Sequence, residues 1–285
     1  MADYKDIVGT TVRNNAGALT GAKTGELFYD STALDFIYRH PNVTAAGAWR
    51  TGNDMNTARM NPSGAGTQTA GLAFGGRPPE KNETEEYNGT TWSEQNNLNT
   101  ARGELAGGGT QTSGLAFGGF LAPPDTMYGQ TEEYNGTSWT ELNDLNTARL
   151  QLAGDGANAE ACLAFGGYNI PAAVDITETW NGSAWTEVNN LNTARRHGGG
   201  AGTTTAGLAF GGIKAPDNVA GETEEWNGTS WTETTDLNTA LCTQAGLGIS
   251  TAALSAGGST NQSNDVANTE EFTSPAPTTV SFTVS

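Results

Sequence analysis

Residues Tyr134 to Gly167 read YNGTSWTELNDLNTARLQLAGDGANAEACLAFGG, and the same run stands on either side of it. Tyr87 to Gly119 reads YNGTTWSEQNNLNTARGELAGGGTQTSGLAFGG, and Trp180 to Gly212 reads WNGSAWTEVNNLNTARRHGGGAGTTTAGLAFGG. Two flanking copies are less complete. The marker indoles Trp49, Trp92, Trp139, Trp185 and Trp231 are 43, 47, 46 and 46 residues apart, and a diglycine closes each copy, from Gly75-Gly76 to Gly257-Gly258. A period of this length fits a propeller blade of four antiparallel strands and is too long for a leucine-rich or ankyrin unit. Paired-helix repeats share the length, but the chain carries 39 glycines, and each glycine inside a helix costs about 1 kcal/mol relative to alanine.

Each copy divides into four short strands. Glu104-Leu105-Ala106-Gly107 opens one, a TQT turn follows, and Leu115-Ala116-Phe117 runs into the diglycine. After a loop of variable length come Thr131-Glu132-Glu133-Tyr134, a turn at Asn135-Gly136 and the strand of Trp139. Asn-Gly predicts a type I′ hairpin with two residues at positive φ. Alternation puts the TQT and NG turns on one face, and the variable loops and LNTAR connections on the other. Burial of Trp92, Trp139, Trp185 and Trp231 contributes at most about 4 to 6 kcal/mol each, which makes them residues of the fold.

Five copies begin at Arg59, Arg102, Arg149, Arg195 and Leu241, and the fifth lacks a Trp strand of its own. The simplest reading lets the orphan strand Gly47-Ala48-Trp49-Arg50 complete the fifth blade and remove an open edge. The alternating stretch Thr278-Val280-Phe282-Val284 is the other candidate. The expected architecture is all-β: an N-terminal attachment segment over 1–44 with a β-hairpin around Gly25 to Tyr38, and a five-bladed propeller over 45–285.

Thirteen Lys and Arg stand against 31 Asp and Glu, a net charge of −18, and such a field repels phosphate backbones and anionic lipid. Nucleic-acid and membrane partners are not expected. The N-terminus lacks the basic and apolar regions of a signal peptide, so a soluble product made in the cytoplasm is expected. Cys162 and Cys242 sit at non-equivalent repeat positions, which argues against a disulfide framework. His40 and His197 have no acidic or cysteine companions at metal spacing, so neither a metal nor another cofactor is expected.

The ordered set of diglycine, Tyr, Trp and Arg, as in Gly118-Gly119, Tyr134, Trp139 and Arg149, resembles the kelch repeat from about Ala45 to Phe272. The last copy departs from it, with Leu241 for the Arg and Ala256 for the Phe. The stretch GELFYDS from Gly25 looks like a hairpin of bacteriophage tail-fibre and other virion proteins. Together with the LNTAR…LAFGG repeat it is similar to kelch-like structural proteins of marine phages, cyanophages included. That resemblance implies a virion protein made in the host cytoplasm, a tail-fibre or host-attachment role, and binding to other virion proteins through the N-terminal segment, with homo-oligomers allowed.

The recurring Arg59, Arg102, Arg149 and Arg195 admit two readings: a ring that binds an acidic ligand, or, favoured, pairing with a Glu of the TEE strand such as Glu132 or Glu133 that ties blades together. Paired acids Glu85-Glu86, Glu132-Glu133 and Glu224-Glu225 suggest carboxylate chemistry. Neighbours on a strand point to opposite faces, however, and a glycosidase needs two carboxyls facing one cleft, so no catalytic residue is assigned. Asn143-Asp144 and its equivalents read as turn caps in preference to calcium ligands. Recognition is expected on the variable loops, at Pro78, Phe120, Met127, Tyr128, Tyr168, Asn169, Ile213 and Lys214. The expected function is a non-enzymatic virion protein, tail-associated, whose loops bind a host-surface glycan or a neighbouring virion protein. The alternatives are a capsid decoration protein, an intracellular kelch scaffold and a sugar-acting propeller enzyme.

Overall fold

The computed structural model describes residues 53–123 and 126–274, together with three strands near the N-terminus. Both candidates for the closing strand, at Trp49 and at 278–284, lie outside the described residues, as does His40. The chain forms two compact units, Met1–Thr51 and Gly52–Ser285. In the first, Leu27–Asp30 pairs antiparallel with Asp35–Tyr38, with Tyr29 opposite Phe36. Arg13–Asn15 adds a parallel strand beside the expected hairpin.

The second unit is a five-bladed β-propeller arrangement with no helix among the described residues. Blade one is built from Ser63–Thr67, Ala70–Phe74, Thr84–Tyr87 and Trp92–Glu94. Blade two uses Ala106–Thr110, Ser113–Phe117, Thr131–Tyr134 and Trp139–Leu142. Blade three uses Ala153–Asn158, Ala161–Phe165, Thr177–Trp180 and Trp185–Glu187. Blade four uses Gly199–Thr203, Ala206–Phe210, Thr223–Trp226 and Trp231–Glu233. Blade five has three described strands, Ala245–Ile249, Ala252–Ala256 and Thr269–Thr273. Every blade is an antiparallel meander, and the first strands of successive blades lie side by side from blade one to blade five.

The core is a series of seams between blades. Trp139 stands edge-on to Phe74 of blade one at 5.0 Å between ring centroids, and its indole N–H donates to Thr84 Oγ1 at 2.9 Å. Trp185 repeats this on Phe117 and Thr131, and Trp231 on Phe165 and Thr177. An aromatic edge contact combined with a satisfied indole donor makes the seam specific as well as apolar. The inner strands come close enough that a Cβ on Gly154 would sit 2.5 Å from the Phe117 ring, which accounts for the glycine in those strands. In blade five the pattern lapses. A cleft of about 280 Å³ is lined by Phe210, Thr223, Leu237, Ser255 and Phe272, among others, where the repeat would seat an indole.

Each repeat arginine is buried and paired within its own blade: Arg59 with Glu85, Arg102 with Glu132, Arg149 with Glu178 and Arg195 with Glu224. The partner is always the first acid of the strand, while the second, such as Glu133, faces the other way and is half-buried. Glu132 also accepts the backbone N–H of Asn99 at 2.7 Å and its side-chain amide at 2.9 Å. The carboxylate therefore clamps the connector arriving from the preceding blade. It is this clamp on the connector, within one blade, that links neighbours, in place of the expected bridge between blades.

Two turn expectations change. In the NG turns only the glycine has positive φ, for instance 87° at Gly136. Tyr134 pairs with Trp139 across a four-residue loop, because Asn135 Oδ1 accepts the N–H groups of Thr137 and Ser138, each at 3.0 Å. An Asx turn replaces the type I′ geometry. The Asn expected to cap its own turn instead reaches the next blade: Asn143 donates to the Ser183 carbonyl at 2.7 Å, as Asn96 does to Thr137 and Asn189 to Thr229.

Candidate functional site

The variable loops and LNTAR connections meet on one face, as Gly103 pairing with Phe120 and Leu150 with Tyr168 show. One residue beyond each such bridge the chain turns at positive φ, between 50° and 58°, at Asn61, Glu104, Gln151, His197 and Thr243. None is glycine, and side chains in that region are held there against a cost of about 1 to 3 kcal/mol. What holds three of them is a backbone girdle. The N–H of Gln151 donates to the Glu104 carbonyl, that of His197 to Gln151 and that of Thr243 to His197, each at 2.9 Å. The five residues, with Pro62, Leu105, Leu152, Gly198 and Gln244, line an axial mouth of about 180 Å³.

Charges in the mouth are matched in a chain that crosses the blades. Arg77 of blade one binds Glu104 Oε1 at 2.8 Å, and Gln151 of blade three donates to Glu104 Oε2 at 2.8 Å. Arg196 of blade four donates to Gln151 Oε1 at 3.1 Å and to Asp217 at 3.0 Å. Its guanidinium also lies over the Tyr168 ring, 5.1 Å from the centroid, a favourable cation–π placement. Burial, reinforced by Arg196 and Arg77, pulls the His197 imidazole down to about 4, so it is neutral at pH 7. Gln244 donates to the Phe210 carbonyl at 2.9 Å while its Oε1, buried, has no partner among the described residues.

The loop residues singled out from the sequence lie on the variable loops of blades one to four, and none of them lines the mouth itself. Pro78 is exposed; Phe120 pairs with Met127 in a two-residue ladder, and Tyr128 follows. Tyr168 pairs with Ala173 and Asn169 with Ala172, and the Tyr168 hydroxyl donates to the Pro171 carbonyl at 3.0 Å. Lys214 is tied to Glu222. Ile213 is 2% exposed, because its backbone is paired to both Arg196 and Val219 and drawn beneath the surface. It supports the loop without presenting itself.

No protein-family model matches the chain, and no curated protein matches its sequence.

The first acid of the third strand is engaged structurally in blades one to four. Burial alone would raise Glu85, but hydrogen bonds from Asn56, Thr57 and Arg59 outweigh it and hold the carboxyl below its ordinary value. No group of three or more His, Cys, Asp or Glu among the described residues is placed to hold a metal ion. Cys162 and Cys242 are buried and unbridged, and burial pushes the Cys162 thiol up. The mouth residues escaped the sequence reading because they do not repeat in kind. Their one signal is positional: the second residue after each repeat Arg, or after Leu241, is a different polar residue in every copy.

Proposed function

We propose that this chain is a non-enzymatic structural protein of a bacteriophage particle, of the kelch-like repeat type, associated with the tail and anchored to other virion proteins by its N-terminal unit. Its loop face, with the axial mouth at the centre, recognises a host-surface glycan or a neighbouring virion protein. One observation carries the recognition role. On an otherwise repetitive scaffold, five equivalent backbone positions carry Asn61, Glu104, Gln151, His197 and Thr243, surrounded by loops that differ in length and content. Uniform backbone with differing side chains is what a binding face on a rigid scaffold requires. The phage assignment is supported by the resemblance of the LNTAR…LAFGG repeat and of the GELFYDS segment to virion proteins. The non-catalytic reading is supported by the engagement of the first acid of the third strand, in blades one to four, with an arginine and a connector.

The test is exchange of the variable loops between related particles, with adsorption and particle integrity both measured. A changed host range with intact particles supports recognition. Unchanged adsorption with loss of the protein or of particle integrity makes it a capsid decoration protein. Turnover of a glycan, abolished by one carboxylate substitution, overturns the non-enzymatic reading.

A further inference from the structure

The axial mouth holds more chemistry than the blade arrangement uses. Its two guanidinium groups are committed, Arg77 to Glu104 and Arg196 to Gln151 and Asp217, so a free anion would have to break existing pairs. The hydrogen-bonding groups left over are uncharged. Among the described residues the Asn61 amide and the His197 imidazole have no hydrogen-bond partner, and the Thr243 hydroxyl, which donates to the Cys242 carbonyl at 2.6 Å, keeps its acceptor capacity. Gln244 is 6% exposed and lines the mouth, and its Oε1, itself closed to solvent, has no partner among the described residues. A buried carbonyl oxygen in that state calls for a donor.

A volume of about 180 Å³ corresponds to roughly six water molecules at ~30 Å³ each, which suits one small ring. Amide and imidazole groups exchange hydrogen bonds in both directions, as hydroxyl groups do. A ligand with several hydroxyls and no charge fits this set, and the field of a chain with net charge −18 disfavours an acidic one.

We propose that the axial mouth binds a single uncharged sugar residue, whose hydroxyls exchange hydrogen bonds with Asn61, His197, Thr243 and Gln244. This rests on the reading that the loop face recognises a surface glycan, and it assigns the centre of that face to one monosaccharide unit, with the outer loops left to contact the rest of the polymer.

The experiment is saturation-transfer NMR on the full chain with glucose, galactose, mannose and N-acetylglucosamine, with glucuronate as the charged comparison. Binding to an array of purified bacterial surface polysaccharides is measured in parallel. The expected result is transfer to at least one neutral sugar and none to glucuronate. Gln244→Leu should weaken it tenfold or more. Asn61→Gly, at an exposed position whose φ of 50° glycine adopts without strain, removes the amide and should weaken it measurably. Absence of transfer from all four neutral sugars, or transfer undiminished in both variants, overturns the assignment. If a polysaccharide still binds in that case, the wider reading of the face stands without the mouth. If none binds, both fall together.

Discussion

The indole N–H of Trp231 in blade four donates to the hydroxyl of Thr177 in blade three at 3.0 Å. The same bond joins Trp185 to Thr131 and Trp139 to Thr84, so each of the three seams from blade one to blade four carries one buried polar contact inside an aromatic one. Thr177→Val leaves the indole donor buried and unpaired, and is expected to cost about 1 to 3 kcal/mol. Trp231→Phe removes the donor but also packing, and costs more. The double variant should lose less than the sum of the two, since removing both partners relieves the desolvation penalty. Urea unfolding of the four proteins measures this; strict additivity would mean that the bond contributes nothing to the seam.

Arg149 is fully buried against Glu178 and, through it, against the Asn146 connector. Glu178→Gln leaves the guanidinium without its counter-charge and is expected to destabilise by about 3 to 5 kcal/mol. Glu133→Gln, on the opposite side of the equivalent strand in blade two, should stay within about 0.5 kcal/mol. Thermal and urea midpoints of the two variants test the assignment of the inward acid to structure. Equal, small effects would free these carboxylates for another role.

The blades were legible because their marks repeat in kind: the indoles, the diglycines and the LNTAR connections are the same residues doing the same work in successive copies. The mouth was not, because a search for sameness discards a column reading Asn61, Glu104, Gln151, His197 and Thr243. The outward sign of that column is a polar side chain at a fixed offset, and its physical sign, a positive φ outside glycine, is invisible without coordinates. That the repeat arginines pair with an acid of the TEE strand was expected from chemistry; that Arg102 takes Glu132 and not Glu133, and within its own blade, was not. That the same carboxylate also holds the Asn99 backbone was not, since this depends on where the connector crosses the blade.

Ser255 stands where the other blades have Ala73, Ala116, Ala164 and Ala209, and its hydroxyl is buried beside the cleft of blade five with no partner among the described residues. Ser255→Ala restores the repeat residue and removes an unsatisfied group, so a gain of about 1 kcal/mol is expected, read as a raised unfolding midpoint.

Asp155 provides a dependence on pH. Its carboxylate accepts the N–H of Gly156 at 2.7 Å and, from blade four, that of Gly202 at 2.6 Å. Burial outweighs those two bonds and raises the group to about 6 from an ordinary 3.8. A folded-state value above the unfolded one means that the native state binds the proton more tightly. The stabilisation from this group is therefore fully present below about pH 3.8 and is lost as pH rises through about 6. Asp155→Asn keeps a side-chain oxygen as acceptor but cannot ionise. The difference in unfolding free energy between the variant and the parent should grow in the variant's favour from pH 4 to pH 7 and level off above, whatever the other carboxylates contribute in common. A difference that stays flat across that window would show that the carboxylate is ionised at no cost, and that the two backbone donors fully offset its burial.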